Sequence, residues 1–437
     1  MATGDVDKQR NGSGASDGSA LIKNEPPNIF FKIAYATHAY TVQGMLAPFT
    51  WIRDWKDYFS PPDGGPNIVK IYECRPHLPI RVFFPEEYDQ TSPHTLPTLF
   101  TFSGGGFCIG SNRDDDEWNR NFADTQGVLV VSLNYSKSPQ NPFPVALHDL
   151  EALVLAVLAD ESLPIDRVGT PQRHSGRSRT AFLGFSSGGN LALAVSQLPS
   201  IRDHLQAPRA AVSVYGILDL SGDPRTRVAN RPFKPGLSRP RGASVDPLAH
   251  LLPTFFWSYI PYGHDLHDPL LSPVFARRAD LPPYVGVVAA ELDLLAHESW
   301  RLACRLAREG AEAEGREGRA VPDPASSDLR ERICGRRGLA VRKGVLEGLG
   351  RAPVWSATSA GPDDRFAFET VWETGGSSED GKGGVKWLLV PDVLHGFDNP
   401  NMRDVAGTPE TIRDAKLKTH AYVAELGRWL KEVVWEF

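Results

Sequence analysis

Apolar residues fall along this chain in two rhythms. Short runs in which nearly every position is apolar recur at Thr98–Phe102, 128–133, 181–183, 210–218, Tyr284–Ala290 and 385–390. Strands covered on both faces read this way. Between them the spacing changes to that of a helix: Val145, Leu150, Leu153, Val154 and Val157 share a face, and residues 190–195 and 298–308 continue the pattern. Two further strand-like runs, 68–72 and 80–84, precede the first buried one. A last helix opens at Thr408-Pro409-Glu410, with threonine as N-cap and proline in the first turn. Its apolar face is Tyr422, Val423, Leu426, Trp429, Leu430 and Val433. Alternating strands and helices predict an α/β domain, with a mostly parallel central sheet and helices on both faces.

Four stretches break the rhythm. Residues 1–27 are rich in Gly, Ser and Asp and read as a disordered tail. Residues 29–52 are aromatic and apolar, but Lys32, His38 and Gln43 interrupt them, so they fall short of a membrane span. A partly buried amphipathic segment is expected there in preference to an interfacial anchor. Residues 221–262 are rich in Arg, Pro and Gly, then aromatic (Phe255, Phe256, Trp257, Tyr259), and read as an insertion on the sheet. Residues 310–384 are charged and Gly-rich with little periodicity. They are expected to be irregular, either an added loop or a stretch translated from intron sequence.

In a sheet of this kind ligands sit at the carboxyl ends of the strands. Loops following strands there begin at Ser103, Ser186, Asp293 and His395. Gly184-Phe185-Ser186-Ser187-Gly188-Gly189-Asn190 lies between a strand and a helix, the context in which G-x-S-x-G presents a serine nucleophile on a sharp turn. A serine hydroxyl needs a base within hydrogen-bond reach and a third group to orient that base. Of twelve histidines, His395 alone follows the last strand in a short loop beside a glycine. The chain order Ser, acid, His asks for a carboxylate after the penultimate strand. Asp293 meets the demand, with Glu291, Glu298 and Asp392 as alternatives. Gly104 and Gly105 can present backbone amides to an oxyanion, and the amide of Ser187 opens a helix.

The chain has 437 residues, 41% of them hydrophobic, and a formal net charge of −6. A mildly acidic surface without a basic patch argues against a nucleic-acid partner. Cys74, Cys108, Cys304 and Cys334 lie far apart without a C-x-x-C pair. Free thiols in a cytoplasmic chain, with neither a metal nor an organic cofactor, are therefore expected.

Five motifs in order resemble the hormone-sensitive-lipase-like family of α/β-hydrolase fold carboxylesterases. Ser103-Gly104-Gly105-Gly106-Phe107 is similar to its His-Gly-Gly-Gly-Phe loop. Gly184 to Asn190 is similar to its Gly-Asp-Ser-Ala-Gly-Gly-Asn. Asn134-Tyr135-Ser136-Lys137-Ser138-Pro139-Gln140 with Pro142-Phe143-Pro144, Asp268-Pro269-Leu270-Leu271-Ser272-Pro273, and Leu394-His395-Gly396-Phe397 also correspond. The resemblance runs from about residue 67 to the C-terminus, excepting 310–384. It implies an α/β-hydrolase domain over 28–437, with a helical cap from about 28–57 and 221–262 whose aromatics line a pocket. It also implies Ser186, Asp293 and His395 as the triad and Gly104, Gly105 and Ser187 as oxyanion donors. The implied substrate is a small to medium carboxylic ester, handled without stable membrane insertion. A ligand receptor on the same fold, or hydrolysis of an amide, lactone or thioester, are the alternatives. The chain departs from the family at Ser103, Ser136 and Gln140, in place of His, Arg and Glu, and in the long interval between Asp293 and His395.

Overall fold

The computed structural model describes residues 22–168, 177–313, 366–373 and 381–437. Among them nine strands form one sheet: β1 (Ile68–Lys70), β2 (Ile80–Phe83), β3 (Thr98–Phe102), β4 (Leu129–Leu133), β5 (Thr180–Phe185), β6 (Ala210–Val214), β7 (Tyr284–Ala290), β8 (Ala367–Glu373) and β9 (Lys382–Val390). Their order is β1-β2-β4-β3-β5-β6-β7-β9-β8. The six strands from β4 to β9 in that order run parallel, while β2 and β8 pair antiparallel at the two sides. Every residue of β3, β4, β5, β6 and β7 is buried, which is why these strands carry unbroken apolar runs.

One face of the sheet is covered by α3 (Val145–Ala159), α4 (Ser187–Ser196) and α7 (Ala296–Ala313), which bury Leu150, Leu193 and Trp300 among others. The other is covered by α2 (Asp116–Gln126) and the C-terminal helix, Pro409–Trp429, through Trp118, Phe122, Tyr422 and Trp429. The N-cap of that last helix is Thr408, whose Oγ1 accepts from the Thr411 amide. Helix α2 is not foreseen from the pattern: its opening Asp-Glu pair and scattered polar residues mask a narrow apolar edge at Trp118 and Phe122.

Residues 29–52 are part of one helix, α1 (Ile29–Phe59), capped by Asn28, whose side chain accepts from the Phe31 amide. The stretch 221–262 holds two helices, α5 (Pro224–Asn230) and α6 (Leu248–Tyr259). Most of the segment 310–384 lies outside the described residues, as do 1–21, so the expectations for a disordered tail and an irregular insertion are not addressed there. In the described part of 310–384, helix α7 continues to Ala313, and β8 pairs along its whole length with β9. Trp372 of β8 is buried against Gly310 and Gly383, where an added Cβ would stand 2.2 and 2.7 Å from its ring. The two ends of the segment are thus built into the same core. Cys74, Cys108 and Cys304 are free thiols, and Cys334 lies outside the described residues.

Candidate active site

Ser186 follows β5 directly and holds φ 53°, ψ −117°, a backbone conformation that costs an L-residue energy and persists because its neighbours fix it. Gly184 and Gly188 make the turn possible. A Cβ on Gly184 would lie 1.9 Å from the Gly188 carbonyl oxygen, and one on Gly188 would lie 2.0 Å from that of Phe102. The spacing of the glycines is therefore a steric requirement of the turn.

His395 comes from the loop after β9. Its Nε2 lies 2.9 Å from Ser186 Oγ and its Nδ1 2.7 Å from Asp293 Oδ2, in the loop after β7. Asp293 is buried, and its other oxygen accepts from the Leu295 amide. Burial pulls the His395 pKa down. The charge and hydrogen bond of Asp293, helped by Asp246 and Asp398, outweigh it, so the net shift is upward. The alternative acids are engaged elsewhere. Glu291 accepts from Lys234 and from the Asp392 amide, Asp392 accepts from Lys234, and Glu298 accepts from the Leu218 amide and Arg227. Burial pushes the Glu298 carboxyl up to about 7, against the pull of Arg227.

The loop after β3 reaches Ser186 from the other side. Gly104 lies so close that an added Cβ would stand 3.3 Å from Ser186 Cβ. Gly105, Gly106 and Phe107 all have positive φ, winding the loop tightly. The amides of Gly104, Gly105 and Ser187 donate to no acceptor among the described residues. Ser103, in the position of the family histidine, is buried, and its hydroxyl has no partner among the described residues. Its carbonyl is held instead by Tyr135 Oη at 3.1 Å, which also lies 3.2 Å from Ser187 Oγ. The far end of the loop is held by α1, where Gln43 Nε2 donates to the carbonyls of Cys108 and Ser138 at 2.8 and 2.7 Å.

A small, partly open pocket lies over Ser186. Its walls are Gly106, Phe107, Ile217, Leu295 and four residues of α6: Leu248, Leu252, Phe255 and Phe256. The aromatics of α1 do not line it. The Phe255 ring lies against Gly106, where a Cβ would meet it at 2.2 Å. Among the described residues no group of three or more His, Cys, Asp or Glu could hold a metal ion.

Sequence reasoning missed the polar roots of the 221–262 insertion. Lys234 bridges Glu291 and Asp392, at 2.7 and 2.6 Å. Arg231 Nε donates to the Leu292 carbonyl, and Asp246 accepts from the Leu294 amide. These three side chains clamp the residues on either side of Asp293 and the approach to His395. Tyr215, after β6, lays its ring against His395 at 4.9 Å and donates to Asp398. No local motif marks these residues, because each partner is distant in sequence.

Residues 99–322, just over half the chain, match the family described as alpha/beta hydrolase fold. Ethyl acetate hydrolase of Pseudomonas putida is 29% identical over 219 residues, 50% of this chain and 62% of that protein. Arylesterase of Saccharolobus solfataricus is 29% identical over 250 residues, 57% of this chain and 73% of its own length. The matched part thus spans under two thirds of the former relative. A solved structure, the hyperthermophilic esterase of Pyrobaculum calidifontis, covers 93% of this chain at 19% identity with a TM-score of 0.53, a likeness of fold. With its sheet order, serine elbow and ordered motifs, the chain belongs to the α/β-hydrolase fold family, in its hormone-sensitive-lipase-like branch.

Proposed function

We propose that this chain hydrolyses small to medium carboxylic esters through an acyl-enzyme. The observation that carries the reading is the unbroken line from Asp293 through His395 to Ser186, at 2.7 and 2.9 Å. In this reading Ser186 Oγ attacks the ester carbonyl carbon while its proton passes to His395 Nε2. Asp293 keeps the ring oriented and balances the imidazolium. The amides of Gly104, Gly105 and Ser187 donate hydrogen bonds to the oxyanion. Collapse of the tetrahedral intermediate breaks the ester C–O bond, and His395 gives its proton to the departing alkoxide oxygen. Water then attacks the acyl-enzyme with His395 again as base, releasing the carboxylic acid and restoring the serine hydroxyl.

The apolar walls suit an acyl or alcohol group, and the ring of Phe255 across Gly106 supports a group of modest length. The relatives named for ethyl acetate and aryl esters support the same substrate class. The α6 segment serves as the cap in this reading. Ser186→Ala is expected to abolish p-nitrophenyl acetate hydrolysis and fluorophosphonate labelling while leaving the melting transition in place. Hydrolysis at the unsubstituted rate in that variant overturns the assignment.

A further inference from the structure

Helix α1 touches the body along one edge only. On that edge Gln43 reaches the loop beyond Gly106, His38 Nδ1 lies 2.8 Å from Thr254 Oγ1, and Arg53 pairs with Asp114 at 2.7 Å. Ala39 is its one buried residue among those described. At roughly 100° per residue, the opposite arc carries Phe30, Ile33, Met45, Trp51, Trp55 and Phe59. They are 80%, 59%, 66%, 68%, 59% and 66% exposed. No Asp, Glu, Lys or Arg stands on that arc; Lys32, Arg53 and Asp57 lie on the inward side, and Lys56 flanks the arc at one margin. With the other exposed apolar side chains of α1, this leaves on the order of 1,000 Å² of apolar surface open, beyond what monomers ordinarily tolerate.

Three occupants are conceivable, and the composition separates them. Residues 1–21 offer only Met1, Val6 and Leu21 as large apolar side chains, too few to cover a helix about 46 Å long. A second copy of the chain would need charged or strongly polar positions to fix the register of two helices, and this arc carries only Thr37 and Thr41. A lipid surface needs no register. Its interface favours Trp, Tyr and Phe, and an arc without charge loses nothing on entering the headgroup boundary. No described helix is long and apolar enough to cross a membrane, so the contact is lateral. The chain's net charge of −6 gives it no attraction to anionic lipid.

We propose that the outward arc of α1 rests on a neutral lipid surface, with its Trp and Phe side chains at headgroup depth. The inward edge of the same helix holds the chain just beyond Gly106, at the Cys108 carbonyl, through Gln43 and meets α6 through His38, so the lipid-facing helix sits one layer from the pocket. Its value for delivering apolar esters rests on the hydrolase reading; the lipid contact itself does not.

The test uses the full chain carrying Ser186→Ala, which binds without turnover, floated with phosphatidylcholine vesicles. It is expected to rise with the vesicles at low and high salt alike. Adding Phe30→Ser, Trp51→Gln and Trp55→Gln is expected to lower the bound fraction by at least about tenfold. Made in the Ser186 background, the triple variant is expected to keep its hydrolysis of soluble p-nitrophenyl acetate, which checks its fold. Independently, brominated phosphatidylcholine is expected to quench tryptophan emission, and Trp51→Phe with Trp55→Phe to remove most of that quenching. Absence of flotation, or flotation abolished by salt, overturns the proposal. So does a dimer in light scattering that the triple variant converts to monomer. Ester turnover without flotation sinks the lipid contact alone, and flotation without turnover sinks the hydrolase reading alone.

Discussion

Lys234→Met is the substitution that most directly tests whether the insertion over the site holds the reacting residues in place. The ammonium of Lys234 is 4% exposed and lies between Glu291 and Asp392, themselves 0% and 1% exposed. Glu291 stands two residues before Asp293, and Asp392 three before His395. Methionine keeps the volume of the stem and removes the charge, leaving two buried carboxylates without their shared cation. Breaking a buried ion pair from one side costs about 3–5 kcal/mol. At roughly 2 °C per kcal/mol for a domain of this size, the melting point should fall by roughly 6–10 °C. The carboxylates would also move apart, carrying the Asp293 and His395 loops with them. A misplacement of about 1 Å at a reacting group can cost on the order of a hundredfold in rate.

Lys234→Met is therefore expected to lower kcat for p-nitrophenyl acetate by about tenfold to a hundredfold, assayed well below the new melting point, with KM little changed. Adding Glu291→Gln removes one of the stranded charges and is expected to recover part of both losses, a coupling that a double-mutant cycle measures. A melting point within about 1 °C of the parent and an unchanged kcat would refute the clamp, since a buried cation on two carboxylates cannot be removed at no cost if it is placed as described.

The raised pKa of His395 makes a second prediction. The ring is a base only when neutral, so kcat/KM is expected to rise with pH through a value above the ordinary ~6.5. Asp246→Asn, removing one of the charges that raise it, should move that limb down; a limb below ~6.5 in the parent refutes the account. The same shift stabilises the fold below the unfolded-state pKa, and that contribution fades as pH rises through the folded one. Gly184→Ala should fail to fold or lose all activity, because its Cβ would lie 1.9 Å from a backbone oxygen; soluble, active protein would show that the elbow is differently built. Trp372→Ala should cost about 3–5 kcal/mol in denaturant unfolding, as for a large buried aromatic; a loss under about 1 kcal/mol would mean β8 is only loosely attached.

How far the sequence reached follows from where each signal is stored. The central strands were legible because burial on both faces demands continuous apolar runs, and the ends of β3 and β7 coincide with those runs. The elbow was legible because its glycines are a steric need of one short turn. Strand β8 was hidden because it lies at the side of the sheet. Only Phe368 and Trp372 are buried in it, each followed by a glutamate, so it shows neither a continuous run nor a clean alternation. The face of α1 was hidden for a different reason. Its pattern announces a helix with apolar positions nearly all round, and such a pattern does not say which side meets the body. Hardest to read was the clamp. Lys234 and Asp246 look like any charges in an Arg- and Pro-rich insertion, and their partners lie 57 and 158 residues away for the lysine and 48 for the aspartate. A motif records what one turn of backbone requires, whereas a buried ion bridge records what three loops require of one another. For this chain the proposed nucleophile belongs to the first kind and its support to the second. Variation among close relatives should then fall on Lys234, Glu291 and Asp392 together, since exchanging one without the others leaves a charge buried beside the serine's base.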